Sequence, residues 1–278
     1  MANQSETKKI FAEIMNREEE INLAETALLF AKEVEYPGLD ISKYIRKIDS
    51  TADEIKWRVR NNTDPRFLIG EINKSLFAEG GFRGNEDNYY DPRNSFLNEV
   101  LDRKTGIPIT LSVLYMEIGN RVGLPVSGVG FPGHFIIRYS AELEILIDPF
   151  NKGRILSERD CQEMLNRIYG GGLKLKSDLL QYATRKQILA RMLHNLKNIY
   201  VDSKDFLKAL SVVDMLLIID PSDMSELRDR GLIYYKLECF VQALADLETY
   251  SRHAPQAVDR DVIGNCIMII KELVERIN

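Results

Sequence analysis

Apolar residues recur at helical spacing through the first eighty residues of the chain. Asp40 and Asp64, the latter followed by Pro65, stand where the third and fourth of these periodic segments begin, and Asp is a favoured helix cap. The pattern predicts four helices, with apolar positions Ile10, Phe11, Ile14 and Met15; Ile21, Ala24, Leu28 and Ala31; Ile41, Tyr44, Ile45, Ile48 and Ile55; and Phe67, Leu68, Ile72, Leu76 and Phe77. We interpret this part, up to about residue 80, as a helical layer on one face of a core.

Residues 79–94 interrupt the helical pattern. Their sequence, EGGFRGNEDNYYDPRN, is rich in Gly, Asn and Asp, which predicts a long surface loop. Loops of this length are often functional, so Tyr89 and Tyr90 are candidates for the wall of a cleft; a solvated connector is the equal alternative. Ser95 is expected to cap a short helix that runs through Arg103.

The stretch from Asn94 to Asp148 carries the candidate chemistry. An apolar helix is predicted between Gly106-Ile107-Pro108 and Gly123-Leu124-Pro125, because Pro suits the first turn of a helix and Gly its end. Three strand-like segments follow, and two of them contain His134 and Asp148. A helix N-terminus that faces a His and an Asp on successive strands is how cysteine–histidine–aspartate sites are built.

The nucleophile of such a site is missing from this helix start. Pro108 stands there, and the cysteines at 161, 239 and 266 lie in other segments that are predicted to be helical. Each of these cysteines is interpreted as a small core residue. Thr110 follows within the first turns of the helix and has an alcohol, but its position favours capping or packing over catalysis.

His134 has two open interpretations. A lone His in an apolar strand is usually a hydrogen-bonded core residue, whereas the glycines beside it and a suitably placed Asp148 favour a ligand or substrate site. Period-two alternation puts His134, Ile136 and Arg138 on one face of their strand. Arg138 is expected to bind a carboxylate or to pair with Glu99 or Asp102. The candidates for lining a cleft or binding a ligand are Asn94, Asn98, Thr110, Arg138 and Tyr90.

The C-terminal part of the chain contains an internal repeat. Gly170-Gly171-Gly172 predicts a boundary between a domain of residues 1–172, with its core at 94–156, and a helical domain of residues 173–278. The repeated positions are Tyr200, Phe206, Ala209, Leu210 and Asp220-Pro221, which recur thirty-four residues later as Tyr234, Phe240, Ala243, Leu244 and Ala254-Pro255. This period resembles the tetratricopeptide pattern, in which Gly231 fits the small position of the first helix and Lys197 departs from it. Residues 256–277 are expected to form a closing helix.

Composition narrows the possible function classes. A net charge of −5 argues against nucleic acid as the main partner, because phosphate binding needs a concentrated basic face. The cysteines show no metal-ligand spacing, so we expect neither a metal nor a cofactor, and a reducing compartment is the default. The N-terminus lacks an apolar signal segment, and no apolar run is long enough to span a bilayer. These features predict a cytoplasmic protein, and they do not predict its oligomeric state.

The stretch around Pro108 and His134 resembles the transglutaminase-like core of papain-type topology. Aligning Gly106 and Gly123 with the corresponding glycines needs no gaps and places the catalytic Cys position at Pro108. Within that superfamily, the chain is most similar to the SirB family of bacterial proteins, in which tetratricopeptide repeats follow the core. The sequences that carry this resemblance are EYPGLDISKY, NSFLNEVLDRKTGIPITLSVLY, GVGFPGHFIIRY and IDPFNKGRILSERDC, together with ILARMLHNLKNIY and ELRDRGLIYYKL in the repeats.

The resemblance implies an α+β fold with a helical N-terminal part and a C-terminal helical repeat domain. Some relatives of this core occur in eukaryotic F-box adaptors, which points to protein recognition. One hypothesis is therefore a non-catalytic protein that binds a protein or peptide through its cleft and repeats, with a possible regulatory role. The alternative is a hydrolase or acyl-transfer enzyme in which His134 and Asp148 act with water or with a nucleophile other than Cys.

Overall fold

A computed structural model describes residues 5–17, 21–141 and 144–277. It divides into two compact units, which we call the core unit (residues 19–32 and 36–192) and the repeat unit (residues 1–18, 33–35 and 193–278). The helices are α1 Glu6–Asn16, α2 Leu23–Val34, α3 Ile41–Val59, α4 Pro65–Asn73, α5 Leu97–Arg103, α6 Pro108–Val122, α7 Glu158–Tyr169, α8 Arg185–Asp202, α9 Phe206–Ile219, α10 Met224–Lys236, α11 Phe240–His253 and α12 Arg260–Ile277.

The local signals for helix starts are largely confirmed. The Asp40 carboxylate accepts a hydrogen bond from the Lys43 N–H, and Asp64 caps α4 in the same way. The start of α5 differs, because Phe96 is its N-cap residue and gives no side-chain hydrogen bond. Ser95, the predicted cap, instead ends a short 3₁₀ turn at Pro92–Asn94 and is buried.

The sheet of the core unit is an antiparallel meander of four strands. These are β3 Val126–Val129, β4 Ile136–Ser140, β5 Glu144–Asp148 and β6 Arg154–Leu156, in that spatial order. The sequence predicted the first three and missed the short β6. The acidic turn expected between β4 and β5 lies partly outside the described residues, since positions 142 and 143 are not described.

The helix α6 is the centre of the core unit. The predicted stripe of Leu111, Leu114, Tyr115 and Ile118 is buried, as are nearly all other positions of the helix, including Pro108. A helix that is apolar on every side requires neighbours all round, and α6 contacts α3, α4, α5 and the strands β3 and β4. The start and length of α6 therefore match the sequence prediction.

A second, very short ladder adjoins the start of α6. Strand β1, Arg83–Gly84, pairs in parallel with β2, Thr105–Gly106. Because β2 immediately precedes the N-cap residue of α6, this ladder ties the beginning of the 79–94 loop to the helix start.

The last crossing of the chain between the two units lies at 192/193, inside α8, whereas the glycines predicted a boundary at 172/173. The segment between these two points packs on the core unit. Leu173, Leu175 and Leu179 lie against a cluster that contains Phe131 and Leu165. Apolar contacts thus extend this unit beyond the glycines.

The repeat unit contains consecutive antiparallel helices, as the thirty-four-residue period predicts. Helices α10 and α11 form one hairpin, and α12 packs on α11 at the place of the predicted closing helix. A Cβ atom added at Gly231 would lie 2.8 Å from the Leu247 side chain, so this crossing requires a glycine. At the equivalent position Lys197 is buried and reaches Glu226 and Asp229.

Candidate functional site

His134 and Asp148 form the predicted hydrogen bond. The His134 Nε2 atom lies 3.1 Å from both carboxylate oxygens of Asp148, which ends β5. His134 itself stands before β4, in a turn closed by its N–H donating to the Phe131 carbonyl, so the prediction that it belongs to the strand is wrong. Gly133 has a φ of +68°, and this left-handed conformation interrupts the strand pattern there.

The Asp148 carboxylate is completely buried and fully engaged. Besides His134, it accepts hydrogen bonds from the backbone N–H groups of Phe150 and Asn151 and from the Asn151 Nδ2 atom at 2.7 Å. Burial opposes the charged form, but these hydrogen bonds and the interaction with His134 outweigh it and hold the pKa of Asp148 below its usual value. Asp148 is therefore a carboxylate that orients the His134 ring through Nε2.

The ring edge of the imidazole that carries Nδ1 is not bonded to Asp148, and the side chain is partly exposed. The His134 side chain is 12% exposed, and its Nδ1 atom has no hydrogen-bond partner among the described residues. The Phe150 ring stands edge-on to the imidazole at a centroid distance of 5.9 Å. A positioned imidazole with one free nitrogen has the geometry of a general base or of a hydrogen-bonding group for a ligand.

The N-terminus of α6 begins at Pro108 and is closed by Thr110. The Thr110 hydroxyl donates to the Asn94 carbonyl at 2.8 Å and accepts from the Ile107 N–H at 3.1 Å. Thr110 is fully buried, so its hydroxyl serves as the predicted cap and is not free to attack a substrate. Two residues further along, Ser112 donates to the Phe135 carbonyl at 3.5 Å, which brings α6 against the residue that follows His134.

Asn94 holds the 79–94 loop in place. Its Nδ2 atom donates to the Asn88 and Tyr89 carbonyls, and its Oδ1 atom accepts from Asn85. Asn94 is fully buried, so its whole amide is used within this segment. At the other end of the loop, Gly84 lies against the Phe150 ring, where an added Cβ would be 2.4 Å away. The loop therefore begins beside the His134 site and ends beside the start of α6.

Arg191 supports the His134 turn and has no local signal in the sequence. Its Nη2 atom donates to the His134 carbonyl at 2.7 Å and to the Phe131 carbonyl at 3.3 Å. The guanidinium also lies 5.4 Å from the centre of the Phe135 ring. Fifty-seven residues separate Arg191 from His134, so only the fold brings them together.

Arg138 and Asn98 differ from their expected surroundings. Arg138 donates to Ser140, to the Leu180 carbonyl and to Glu144, whereas a pairing with Glu99 or Asp102 was predicted; that pairing is wrong. The strand β4 directs Arg138 toward the neighbouring end of β5, which places Glu144 within reach. Asn98 is almost fully buried at the start of α5, and its Oδ1 atom has no partner among the described residues.

Cys161 lies nearer to the site than its sequence position indicates. It is fully buried, and burial first, then the carboxylates of Asp160 and Asp148, raises the pKa of its thiol to about 11. A thiol with a raised pKa is a poor nucleophile, and Cys161 belongs to an apolar cluster with Leu156 and Leu165. The predicted role as a small core residue fits this position.

Comparison with known proteins agrees with this architecture. The family model described as "Transglutaminase-like superfamily" matches residues 42–194. The chain belongs to the transglutaminase-like superfamily. A tetratricopeptide-repeat model matches residues 196–268 of this superfamily member, which confirms the predicted fold class of a transglutaminase-like core followed by helical repeats.

Two curated proteins and one solved structure are also similar to the chain. A UPF0162 protein of Xylella fastidiosa is 35% identical and covers 93% of each chain, so the chain also belongs with the UPF0162 proteins. F-box only protein 21 of Pongo abelii is 29% identical over 65% of this chain and 30% of its own length. A crystal structure of menin is 11% identical, with a TM-score of 0.42, covering 86% of this chain and 68% of the menin chain.

Across residues 5–17, 21–141 and 144–277, no group of three or more His, Cys, Asp or Glu side chains is arranged to hold a metal ion. Over the same residues, none of the helices combines the length and the apolar character that crossing a membrane requires.

Proposed function

We propose that this chain is a non-catalytic member of the superfamily that binds a protein or peptide partner. The observation that carries the proposal is Pro108 at the first position of α6, because the resemblance to the transglutaminase-like core assigns the nucleophilic Cys to this place. Proline has neither a nucleophilic side chain nor a backbone N–H. The motifs quoted above support a further assignment of the chain to the SirB family.

The groups near Pro108 do not replace the missing thiol. The Thr110 hydroxyl is used in the cap of α6, and Cys161 is a buried thiol of raised pKa. Transglutaminase chemistry proceeds through a thioester and therefore needs a thiolate beside the imidazole. The His134–Asp148 pair then serves to fix the shape and polarity of a binding surface.

A role in binding is supported by the second unit of the chain. Tetratricopeptide repeats generally mediate protein–protein interaction, and residues 196–268 match that repeat. The similarity to an F-box protein is consistent with recognition of a protein partner. We propose that the chain has no direct nucleic-acid or membrane partner and no cofactor. We also propose a cytoplasmic location, in which Cys161, Cys239 and Cys266 remain free thiols, and a regulatory role.

A hydrolytic or acyl-transfer activity is the second candidate, favoured by the free Nδ1 atom of His134. With Asp148 on Nε2, the imidazole could accept a proton from a water molecule at Nδ1. Water would attack the acyl carbon, the leaving group would depart with the proton from the imidazole, and no covalent enzyme intermediate would form. This candidate differs from the first in requiring turnover that depends on His134.

The decisive experiment measures amine incorporation into glutamine peptides and hydrolysis of activated acyl esters by the purified chain. The expected result is no turnover above that of the His134→Ala variant, since removing a triad nucleophile costs about 10⁴-fold or more. A variant in which Cys161, Cys239 and Cys266 are all replaced by Ala is the matched control. Turnover that is lost in His134→Ala and kept in this cysteine-free variant would refute the non-catalytic proposal and support the hydrolase.

A further inference from the structure

Arg191 is a largely buried cation without an acidic partner. None of the described Asp and Glu carboxylates forms an ion pair with it, although most of the other partly buried Lys and Arg side chains in the structure are paired. Only its Nη2 atom is used, on the His134 and Phe131 carbonyls. The Nε and Nη1 atoms donate to no described protein atom, and neither is sealed from solvent.

The surroundings of Arg191 leave this positive charge uncompensated. Burial lowers the pKa of the guanidinium, and the nearby phenol groups of Tyr89 and Tyr169 offset only part of that effect. A cation taken out of water is costly unless an anion pairs with it. A ligand that supplied a negative charge here would therefore gain both the ion pair and a charge-assisted hydrogen bond.

Exposed aromatic and apolar side chains lie near the His134 turn, and two of them, Tyr89 and Tyr169, lie near the Arg191 guanidinium. Tyr89 and Tyr90 pack edge to face at 5.4 Å, and Ile168 lies against Gly133, where an added Cβ would be 2.8 Å from its side chain. Tyr, other aromatic residues and Arg are enriched at protein interfaces and among the residues that dominate binding energy. The exposed members of this set are Tyr89, Tyr90, Ile168 and Tyr169. We call these four residues together with Arg191 the Arg191 patch.

We propose that the Arg191 patch binds an acidic peptide segment, in which an Asp or Glu carboxylate pairs with the Arg191 guanidinium through one of its free N–H groups. The apolar neighbours of that carboxylate would lie on the rings of Tyr90 and Tyr169. This inference rests on the proposed binding function, because it specifies the chemistry of the peptide that the same surface recognises. A carboxylate fits better than a phosphate, since a carboxylate carries one negative charge, a phosphate group carries nearly two, and the patch offers a single unpaired cation.

The test begins with a library of random twelve-residue peptides displayed on phage and selected on the purified full chain. The best selected peptide is then synthesised together with an analogue in which each Asp becomes Asn and each Glu becomes Gln. Fluorescence anisotropy measures both peptides on the unmodified protein and on four variants, Arg191→Gln, Arg66→Gln, Tyr90→Ser and His134→Ala. Arg66 is the matched control because it is exposed on α4, and no described acidic side chain forms an ion pair with it.

The expected result is a ten-fold to about a hundred-fold preference for the acidic peptide on the unmodified protein, the range for a charged hydrogen-bonded pair. Arg191→Gln should abolish this preference, so that both peptides bind equally, and Arg66→Gln should keep it. Tyr90→Ser should weaken both peptides by the same factor. Because Arg191 also supports the His134 turn, the ratio between the two peptides is decisive rather than the absolute affinity of one variant.

Several outcomes would overturn the inference, and they are distinguishable. Equal binding of the two peptides to the unmodified protein, or an acidic preference that persists in Arg191→Gln, refutes the carboxylate site while peptide binding itself stands. Displacement by inorganic phosphate at concentrations far below those of acetate refutes the choice of a carboxylate. Failure to select any peptide, or binding that is unchanged in both Tyr90→Ser and His134→Ala, refutes the proposed function together with this inference.

Discussion

Replacing Asp148 by Asn tests whether this carboxylate organises the His134 site. The substitution keeps the size of the side chain and one oxygen for the backbone N–H groups of Phe150 and Asn151. It removes the negative charge that holds His134 Nε2 and the Asn151 amide. The site should therefore keep its packing and lose its charge-assisted hydrogen bonds.

We expect Asp148→Asn to lower the free energy of unfolding by about 2 kcal/mol at pH 7. Hydrogen bonds to a charged group contribute about 1.5–3 kcal/mol, against about 1 kcal/mol for neutral ones. Two such bonds are weakened in the variant, and rotation of the Asn151 amide would restore part of one of them. Because Asp148 is completely buried, solvent does not screen this effect.

The same charge predicts a pH dependence of known sign. The folded-state pKa of Asp148 lies below its usual value, so its stabilisation is fully present above the ordinary carboxyl pKa of about 3.9. The stabilisation is then lost as the pH falls through the lower folded-state pKa. The difference between the unmodified protein and Asp148→Asn should therefore shrink as the pH falls below about 4.

Hydrogen exchange measured by mass spectrometry on the strands β5 and β6 reports the local free energy of opening of this part of the core unit. Urea denaturation of the whole chain is the companion measurement. A difference in free energy of unfolding below about 0.5 kcal/mol at pH 7 between the unmodified protein and Asp148→Asn would refute the stabilising role of the Asp148 charge. A difference that stays constant down to pH 3 would refute its electrostatic origin.

Two further predictions concern the start of α6 and the helix crossing in the repeat unit. Thr110→Val should lower the free energy of unfolding by about 1–3 kcal/mol, because it leaves the Asn94 carbonyl without its buried donor. Hydrogen exchange over residues 85–95 should then become faster. Unchanged exchange there would contradict the role of Thr110 in holding the loop. Gly231→Ala should lower the free energy of unfolding, measured by urea denaturation, by about 1–3 kcal/mol, since its Cβ would lie 2.8 Å from Leu247. Gly264→Ala has open space at its Cβ and should raise that free energy by about 0.5–1 kcal/mol. Equal effects of the two substitutions would contradict the close helix crossing at Gly231.

Features that depend on residues within one helical turn of each other could be predicted from the sequence. Asp40 and Asp64 cap their helices because the capping hydrogen bond joins residues only three positions apart. Ser95 failed as a cap because the preceding residues form a 3₁₀ turn that shifts the start of α5 by one position. The repeat was readable for a related reason, since its period records packing between adjacent helices.

Contacts between segments that are distant in the chain could not be predicted from the sequence. His134 was assigned to a strand because alternation continues through its position, but the left-handed Gly133 ends the regular pattern before β4 begins. Arg191 gave no signal because its partners are carbonyl groups, which every residue has. Likewise, Asn73 donates to the carbonyl of Gly153 eighty residues away, and neither residue type at those positions predicts the other.

The hydrogen bonds at the start of α6 show how this site is held in order with Pro108 at the first position of the helix. In a thiol enzyme, free N–H groups at a helix N-terminus favour the thiolate. Here Pro108 brings no N–H, and the Ile107 N–H is taken by the Thr110 hydroxyl. The same hydroxyl binds the Asn94 carbonyl, and the Asn94 amide in turn binds the carbonyl of Tyr89. Through this chain of hydrogen bonds, the start of α6 fixes the loop that carries Tyr89 near Arg191, an arrangement that the proposed binding role would use.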